Sequence, residues 1–419
     1  MSSADVPRKK DPSAGFTFGQ VLRNRRFLLL WSGQVVSQLG DWLALMALFS
    51  LVTFRWQGTP SDVSRVLLFF ALPMAILGPV VGVFADRWNR KRTMIASDVV
   101  RAALVLLLFF AGEPFQLYVI VFLLSTVSCF FLPSQTALLP VLVQRDELLV
   151  ANALNTQAVQ VIRIVGPALA GILVAWAGER ICFLLDSASF LLSAALLARI
   201  KVEASSETAT RGVPSVFGEL CEGLRFLWKH PALRFVVVSL TAALFAIGAF
   251  DALAAIYVRD ILGSQAELFG AIVALVGAGM ILGTLIIGRY AQALPRFRLV
   301  LAGVSGLGAG IYVLAATASV ISTLGIAVLL GLGASGVNVA AQTLIQEETP
   351  VNMLGRVSST AAAMMTAAQV ISIAAAGRLA EWLGIVVLYQ ALGAALMLMA
   401  LGGFLYARIC FGSASTPGK

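Results

Sequence analysis

The chain has 419 residues, of which 59% are hydrophobic and only 12% charged. A soluble globular protein is closer to half apolar and a quarter charged, so this composition argues against a secreted domain, a cytosolic enzyme and a nucleic-acid binder. The net charge of +9 does not restore the nucleic-acid reading. Most of its Lys and Arg fall in segments that the hydropathy pattern puts on one side of a bilayer, the positive-inside bias.

In chain order, residues 1–26 are a polar tail whose Arg8, Lys9, Lys10, Arg23, Arg25 and Arg26 should hold it in the cytoplasm. The apolar stretch that follows is too long for a signal-peptide core and has no small-residue cleavage site, so it is expected to remain as an anchor. A crossing needs about 20 mostly apolar residues. Twelve such stretches are predicted, six near 27–53, 64–84, 94–112, 117–139, 158–177 and 181–199, and six near 234–258, 267–288, 299–316, 320–344, 359–379 and 384–406. The expected protein is thus all-α and multi-pass, in a bacterial-type inner membrane. An even number of crossings returns the tail at 409–419 to the cytoplasm.

The longest polar break, Lys201 to Pro214, sits midway and reads as part of a linker over 201–233 between bundles at 27–200 and 234–408. Within it, Val216, Phe217, Leu220, Leu224, Leu227 and Trp228 recur at helical spacing, with Glu219, Glu222, Arg225 and Lys229 opposite. This pattern predicts an amphipathic helix lying on the cytoplasmic membrane surface.

The two bundles resemble each other. Gly40 and Gly248 stand 208 residues apart, Gly82 and Gly288 stand 206 apart, and Gln160-Val161-Ile162 and Gln369-Val370-Ile371 stand 209 apart. A duplicated six-helix unit in parallel orientation accounts for this. Such halves enclose a cavity near the midplane and can rock between inward-open and outward-open states.

The loop between the second and third spans reads Gly82-Val83-Phe84-Ala85-Asp86-Arg87-Trp88-Asn89-Arg90-Lys91-Arg92. Its cations can simply fix topology, or the loop can act as a latch, with Asp86 facing a helix N-terminus. The stretch resembles the loop 2–3 signature of the major facilitator superfamily, matched at Gly82, Asp86, Arg87, Arg90 and Lys91. Asn89 replaces the second glycine, and asparagine tolerates a left-handed turn. The resemblance covers residues 20 to 408 and implies the major facilitator fold of two six-helix bundles. Gly166-Pro167 and Gly171 in span 5 form a kinked, closely packing stretch that resembles the antiporter motif of drug exporters. Gln38-Leu39-Gly40-Asp41, Ala151-Asn152-Ala153-Leu154-Asn155 and Leu185-Asp186-Ser187-Ala188-Ser189-Phe190 resemble the bacterial macrolide-efflux and enterobactin-exporter branch. That branch implies proton-driven export of bulky amphipathic compounds.

Ionisable residues inside spans are costly and usually functional. Gln34, Gln38 and Asp41 lie at i, i+4 and i+7 and share one face of span 1. Asp41 is the preferred proton-coupling residue, with a structural hydrogen-bonding acid as the alternative. Arg163, placed near the cytoplasmic end of span 5, either meets an anionic partner or substrate group or snorkels. Asp186 and Asp251 are further substrate-cavity candidates, with Gln34, Gln38 and Arg163. Asp98 and Arg101, three apart on span 3, are expected to pair. With Gly82, Asp86, Arg87, Arg90, Lys91 and Arg92 they form the gating set. The charged run at Gln346-Glu347-Glu348 with Arg356, and its counterpart Gln144 to Glu147, are expected to add cytoplasmic gate contacts.

His230 is the single histidine and Cys129, Cys182, Cys221 and Cys410 are scattered, so neither a metal centre nor a disulfide framework is indicated. No GxxxxGK[ST] loop is present for an ATP-driven pump. The reading is a monomeric secondary transporter, not an enzyme, without cofactor. Its partners are protons, an amphipathic small molecule and the lipid bilayer. An importer, a uniporter, a lipid flippase or a non-transporting sensor or assembly factor are the alternatives.

Overall fold

The computed structural model describes residues 18–85, 88–201, 216–290, 296–350 and 353–411, and among them every regular element is helical. A short α1 (Phe18–Leu22) precedes α2 (Arg25–Ser50), which runs on through a π-helical turn at Leu51–Arg55. There follow α3 (Pro60–Ala85), α4 (Arg90–Leu108), α5 (Pro114–Leu142), α6 (Leu148–Ala177) and α7 (Glu179–Ala198). The connecting helix α8 (Val216–Lys229) leads into α9 (Pro231–Asp260), α10 (Ala266–Tyr290), α11 (Arg296–Thr317), α12 (Val320–Glu348), α13 (Leu354–Leu383) and α14 (Ile385–Phe411).

Eleven of these helices are long and apolar enough to cross a membrane. The predicted third span corresponds to α4, which packs between α5 and α7. Its first turn carries Arg90, Lys91 and Arg92, and Asp98 and Arg101 follow, so it is less apolar than its neighbours. With α4 the bundle holds six long helices in each half. Most helices are longer than the hydropathy pattern drew them, and α6 and α13 begin furthest ahead of the predicted starts. Helix α6 starts at Leu148 and not near 158, because Asn152, Asn155 and Gln157 continue the helix without being apolar. Helix α13 starts at Leu354 for the same reason.

Local chemistry explains the ends. Asn24 caps α2 by accepting from the backbone N–H of Arg26 at 3.1 Å, and its Nδ2 donates to Leu142 O at 2.8 Å, tying α2 to the end of α5. Asn89 caps α4 by accepting from Arg92 N–H at 3.1 Å. Its φ is −69°, so it is not the left-handed turn residue that the missing glycine suggested. A cap needs a side-chain acceptor on extended backbone, and asparagine supplies one where glycine cannot.

The duplication shows in backbone conformation as well as in sequence. Gly178 and Gly384, at φ 78° and 82°, join α6 to α7 and α13 to α14, and they stand 206 residues apart. Gln57 and Gly263, at φ 52° and 60°, turn the chain after α2 and after α9 with the same separation. The halves meet through α3 against α13 and α6 against α10. Because α3 corresponds to α10 and α6 to α13, the two contacts are equivalents exchanged by a pseudo-two-fold axis.

Lipid tails give helices no hydrophobic drive to associate, so close backbone approach must do it. Gly331 shows this: a Cβ there would lie 2.7 Å from Met280 N and 2.8 Å from Gly279 Cα. The Gly279-xxx-Gly283 pattern of α10 faces the same helix, against Val328 and Leu332 of α12.

The amphipathic helix α8 is packed on the second bundle, against α13 and α9, and does not lie free on a surface. Leu227 is fully buried and Gly223 sits on Arg356 O and Thr360 of α13, while Leu224 and Trp228 stay exposed. The predicted apolar stripe therefore divides, one edge entering the bundle and the other facing outward. Glu222 pairs with Arg356 at 2.8 Å, which spends Arg356 on α8. Glu347 pairs instead with Arg296 at the start of α11, at 2.9 Å within the second half.

Candidate functional site

The polar stripe of α2 is graded. Gln34 is buried, with Nε2 unpartnered among the described residues, Gln38 is half-buried, and Asp41 is exposed. Gln34 therefore does not line an open cavity wall. Asp41 occupies the middle of the continuous helix Arg25–Arg55. The residues on either side of it fix its direction. A Cβ on Gly40 would strike Ser189 Oγ and Asp186 Oδ1 of α7, and Trp42 fills the notch of Gly166 on α6, 2.7 Å from a Cβ built there. Asp41 is also within electrostatic reach of Arg101, Asp98 and Asp186. It is thus an exposed acid midway along a helix long enough to span the membrane, within electrostatic reach of the buried charges of the first half.

Behind it lies a sealed polar cluster. Arg101 Nη2 pairs with Asp98 Oδ1 inside α4, and their side chains are 6% and 0% exposed. The guanidinium is held between two rings, 4.5 Å from the centroid of Phe131 and 4.2 Å from that of Phe190. Asp186 is also 0% exposed. Its Oδ1 accepts from Ser189 Oγ at 3.3 Å, and its Oδ2 has no hydrogen-bond partner among the described residues. The sequence put Asp186 in the substrate cavity, and the structure buries it between α2, α4 and α7. Spacing along a helix fixes a residue's azimuth but not which neighbour covers it.

Arg163 falls at the midpoint of α6, not near one end. It lies about 22 Å from either end of that helix. Arg163 is exposed, as is Asp251 on α9, and the two act on each other electrostatically although they belong to different halves. Tyr389 of α14 stands beside Asp251 as well and donates its hydroxyl to Phe250 O at 3.1 Å. Two charges of opposite sign, one from each bundle, therefore face the space between the halves.

The Gly166-Pro167-xxx-Gly171 stretch is part of the contact between halves. Gly171 Cα lies 3.0 Å from a Cβ built on Gly270 of α10, and Pro167 O lies at the same distance. At the α3–α13 contact, Gly377 lies on Ser61 and Pro60, and Ser61 N–H donates to Glu381 Oε1 at 3.2 Å. Phe49 and Phe269 meet edge to face, with centroids 5.5 Å apart. Arg259 of α9 donates from Nη1 to Thr53 O at 2.6 Å and Gly58 O at 3.0 Å. All of these contacts lie at the end of the molecule opposite α1 and the last turn of α14. Just outside them is a polar cleft of about 520 Å³ bordered by Arg55, Glu179, Arg259 and Glu267. There Glu179 accepts from Ser50 Oγ at 3.1 Å and pairs with Arg55 at 3.4 Å.

The loop signature divides differently. Asp86 and Arg87 lie outside the described residues, and Gly82 is within α3. Arg90 Nη1 donates to Ala137 O at 3.1 Å, and Lys91 Nζ donates to Ala198 O and Ile200 O at 2.8 and 2.7 Å. Arg90 thereby ties α4 to α5 short of its last turn, and Lys91 fastens the end of α7, both within the first half. Lys91 is favourable there because a helix C-terminus exposes unpaired carbonyls. Arg92 is exposed. Arg259, Glu381 and Glu179 were not singled out from sequence. Each sits at a helix end, where a charge ordinarily reads as a solvated boundary residue.

The sequence profile of the Major Facilitator Superfamily matches residues 30–373 and 244–411. The chain belongs to that superfamily. It is a membrane-spanning transporter and not an enzyme. It is 31% identical over 396 residues to the uncharacterized MFS-type transporter YfiS of Bacillus subtilis, covering 91% of this chain and 93% of that one. It is 24% identical over 370 residues to macrolide efflux protein A of Streptococcus pyogenes, covering 86% and 90%. Among solved structures it superposes on the nucleoside transporter NupG with a TM-score of 0.74 at 11% identity, over 90% of this chain and 100% of that one. A bacterial homologue of the iron transporter ferroportin gives 0.70 at 19%, over 91% and 99%. These two structural likenesses concern the fold alone.

Proposed function

We propose that the transporter exports amphipathic small molecules across the inner membrane in exchange for protons, as a monomer with both termini in the cytoplasm. The observation that carries this reading is Asp41, an exposed acid midway along a helix long enough to span the membrane and within electrostatic reach of buried charges. A carboxyl in that position can take a proton from whichever side is open and release it to the other. The facing pair Arg163 and Asp251 gives the space between the halves one charge of each sign, suited to a bulky compound with a polar group. The closed contacts around Arg259, Gly171 and Glu381 support a resting state sealed to the outside and loaded from the cytoplasm. The efflux relative at 24% identity supports the outward direction and a macrolide as first probe.

The test is uptake of radiolabelled erythromycin into inverted membrane vesicles carrying the transporter. An acid-inside pH gradient is expected to drive accumulation, and a protonophore to abolish it. Accumulation that survives the protonophore contradicts proton exchange. Accumulation only in right-side-out vesicles contradicts export.

A further inference from the structure

We propose that Asp186 is a second proton-carrying carboxyl, set behind Asp41 and sealed from the cavity, so that the coupling unit is the pair and not Asp41 alone. This rests on the reading of Asp41 as the proton's port to the cavity.

The geometry begins with an imbalance of charge. Three elements bring titratable groups to one place: Asp41 from α2, Asp98 and Arg101 from α4, and Asp186 from α7. The charged residue of α6, Arg163, faces Asp251 instead. Three carboxyls therefore share one guanidinium. That guanidinium is already committed to Asp98, three residues away, and clamped between Phe131 and Phe190. Its single positive charge also acts on Asp186 through space, but no ion pair joins the two among the described residues, and one charge cannot offset three carboxylates. Asp186 is fully buried, and among the described residues its side-chain hydrogen-bond partner is Ser189, on Oδ1. A buried carboxylate with one bare oxygen and no ion-pair partner of its own is far costlier than the neutral acid. Asp186 therefore holds a proton on Oδ2 in this conformation.

The route out is built into the packing. Gly40 has no side chain, and this is what lets Asp186 and Ser189 lie against the backbone of α2. The residue after Gly40 is Asp41, which is exposed. When α2 and α7 shift against each other, the Oδ2–H bond of Asp186 breaks and a new O–H bond forms on an oxygen of Asp41. Asp41 then passes that proton to water in the cavity. The reverse sequence reloads Asp186, which stores the proton out of reach of both sides while the halves rock.

The experiment uses the full-length transporter in liposomes, without substrate and without a gradient. Infrared difference spectra between acid and alkaline buffers follow the carbonyl stretch of protonated carboxyls. The wild type is expected to show a band that shifts slowly in deuterated buffer, as a sealed acid should. D186N is expected to lose that band, D186E to move it, and D41N to keep it. D186E retains a carboxyl and serves if D186N does not fold. Absence of a slowly exchanging band in the wild type, or a band unchanged in D186N or in D186E, overturns the proposal. Because no flux is measured, this result stands apart from that of the erythromycin gradient experiment, and either can fail alone.

Discussion

Arg259 Nη1 and Thr53 O are 2.6 Å apart, a charge-assisted bond from the second half of the transporter to the π-helical end of the first membrane helix. The same nitrogen reaches Gly58 O at 3.0 Å, beyond the left-handed turn at Gln57. The end of a helix leaves carbonyls without partners, and here a guanidinium from the opposite bundle takes them. Hydrogen bonds to charged groups contribute about 1.5–3 kcal/mol each, and these two must break before the halves can part at this end.

R259A is accordingly expected to favour opening at the Arg259 end. Ser64 is buried beside Gly377 just inside the contact, so S64C in a cysteine-free background reports on it. Labelling of S64C by an impermeant maleimide should rise by roughly tenfold or more in R259A. R259K, which keeps the charge but not the planar fork, should fall between. Equal labelling in all three proteins would remove Arg259 from the closure.

Gly331 tests the packing. Its neighbours are backbone atoms of α10, Met280 N at 2.7 Å and Gly279 Cα at 2.8 Å, and they cannot rotate aside as a side chain can. G331A should lower stability by about 1–3 kcal/mol, read as a fall in thermal midpoint in detergent. G325A is the control, because nothing lies within 4 Å of a Cβ there, and it should leave the midpoint unchanged or raise it slightly.

Helix α8 offers a contrast between a charge and a surface. Glu222 and Arg356 are 52% and 39% exposed, so E222A should cost no more than about 1 kcal/mol. Gly223 lies 2.7 Å, at the built Cβ, from Arg356 O. G223L should therefore lift α8 from α13 and lower the thermal midpoint more than E222A does. The opposite order would mean that the ion pair, not the close approach, docks the helix.

The layout of long helices was legible because a bilayer demands about 20 apolar residues in a row and the duplication repeats its glycines. Lys91 and Asn89 were visible as motif residues, but their partners were not. Lys91 holds the end of α7 and Asn89 caps α4, contacts set by how helix ends converge. Arg163 and Asp251 were both singled out, yet their mutual facing depends on the arrangement of two bundles that no spacing within one helix encodes. Asp186 shows the limit most sharply. Its azimuth on α7 was readable, while the cover supplied by Gly40 of α2 belongs to another helix. Arg259 left no mark, because its acceptors are carbonyls and carbonyls have no sequence.

The most direct test of the central claim compares wild type with D41N in proteoliposomes loaded with erythromycin. With no gradient, both should exchange labelled for unlabelled compound at similar rates. Under an imposed pH gradient, wild type should concentrate the compound and D41N should do so less by roughly tenfold or more. Gradient-driven accumulation by D41N equal to that of wild type would contradict the assignment of Asp41 as the proton carrier.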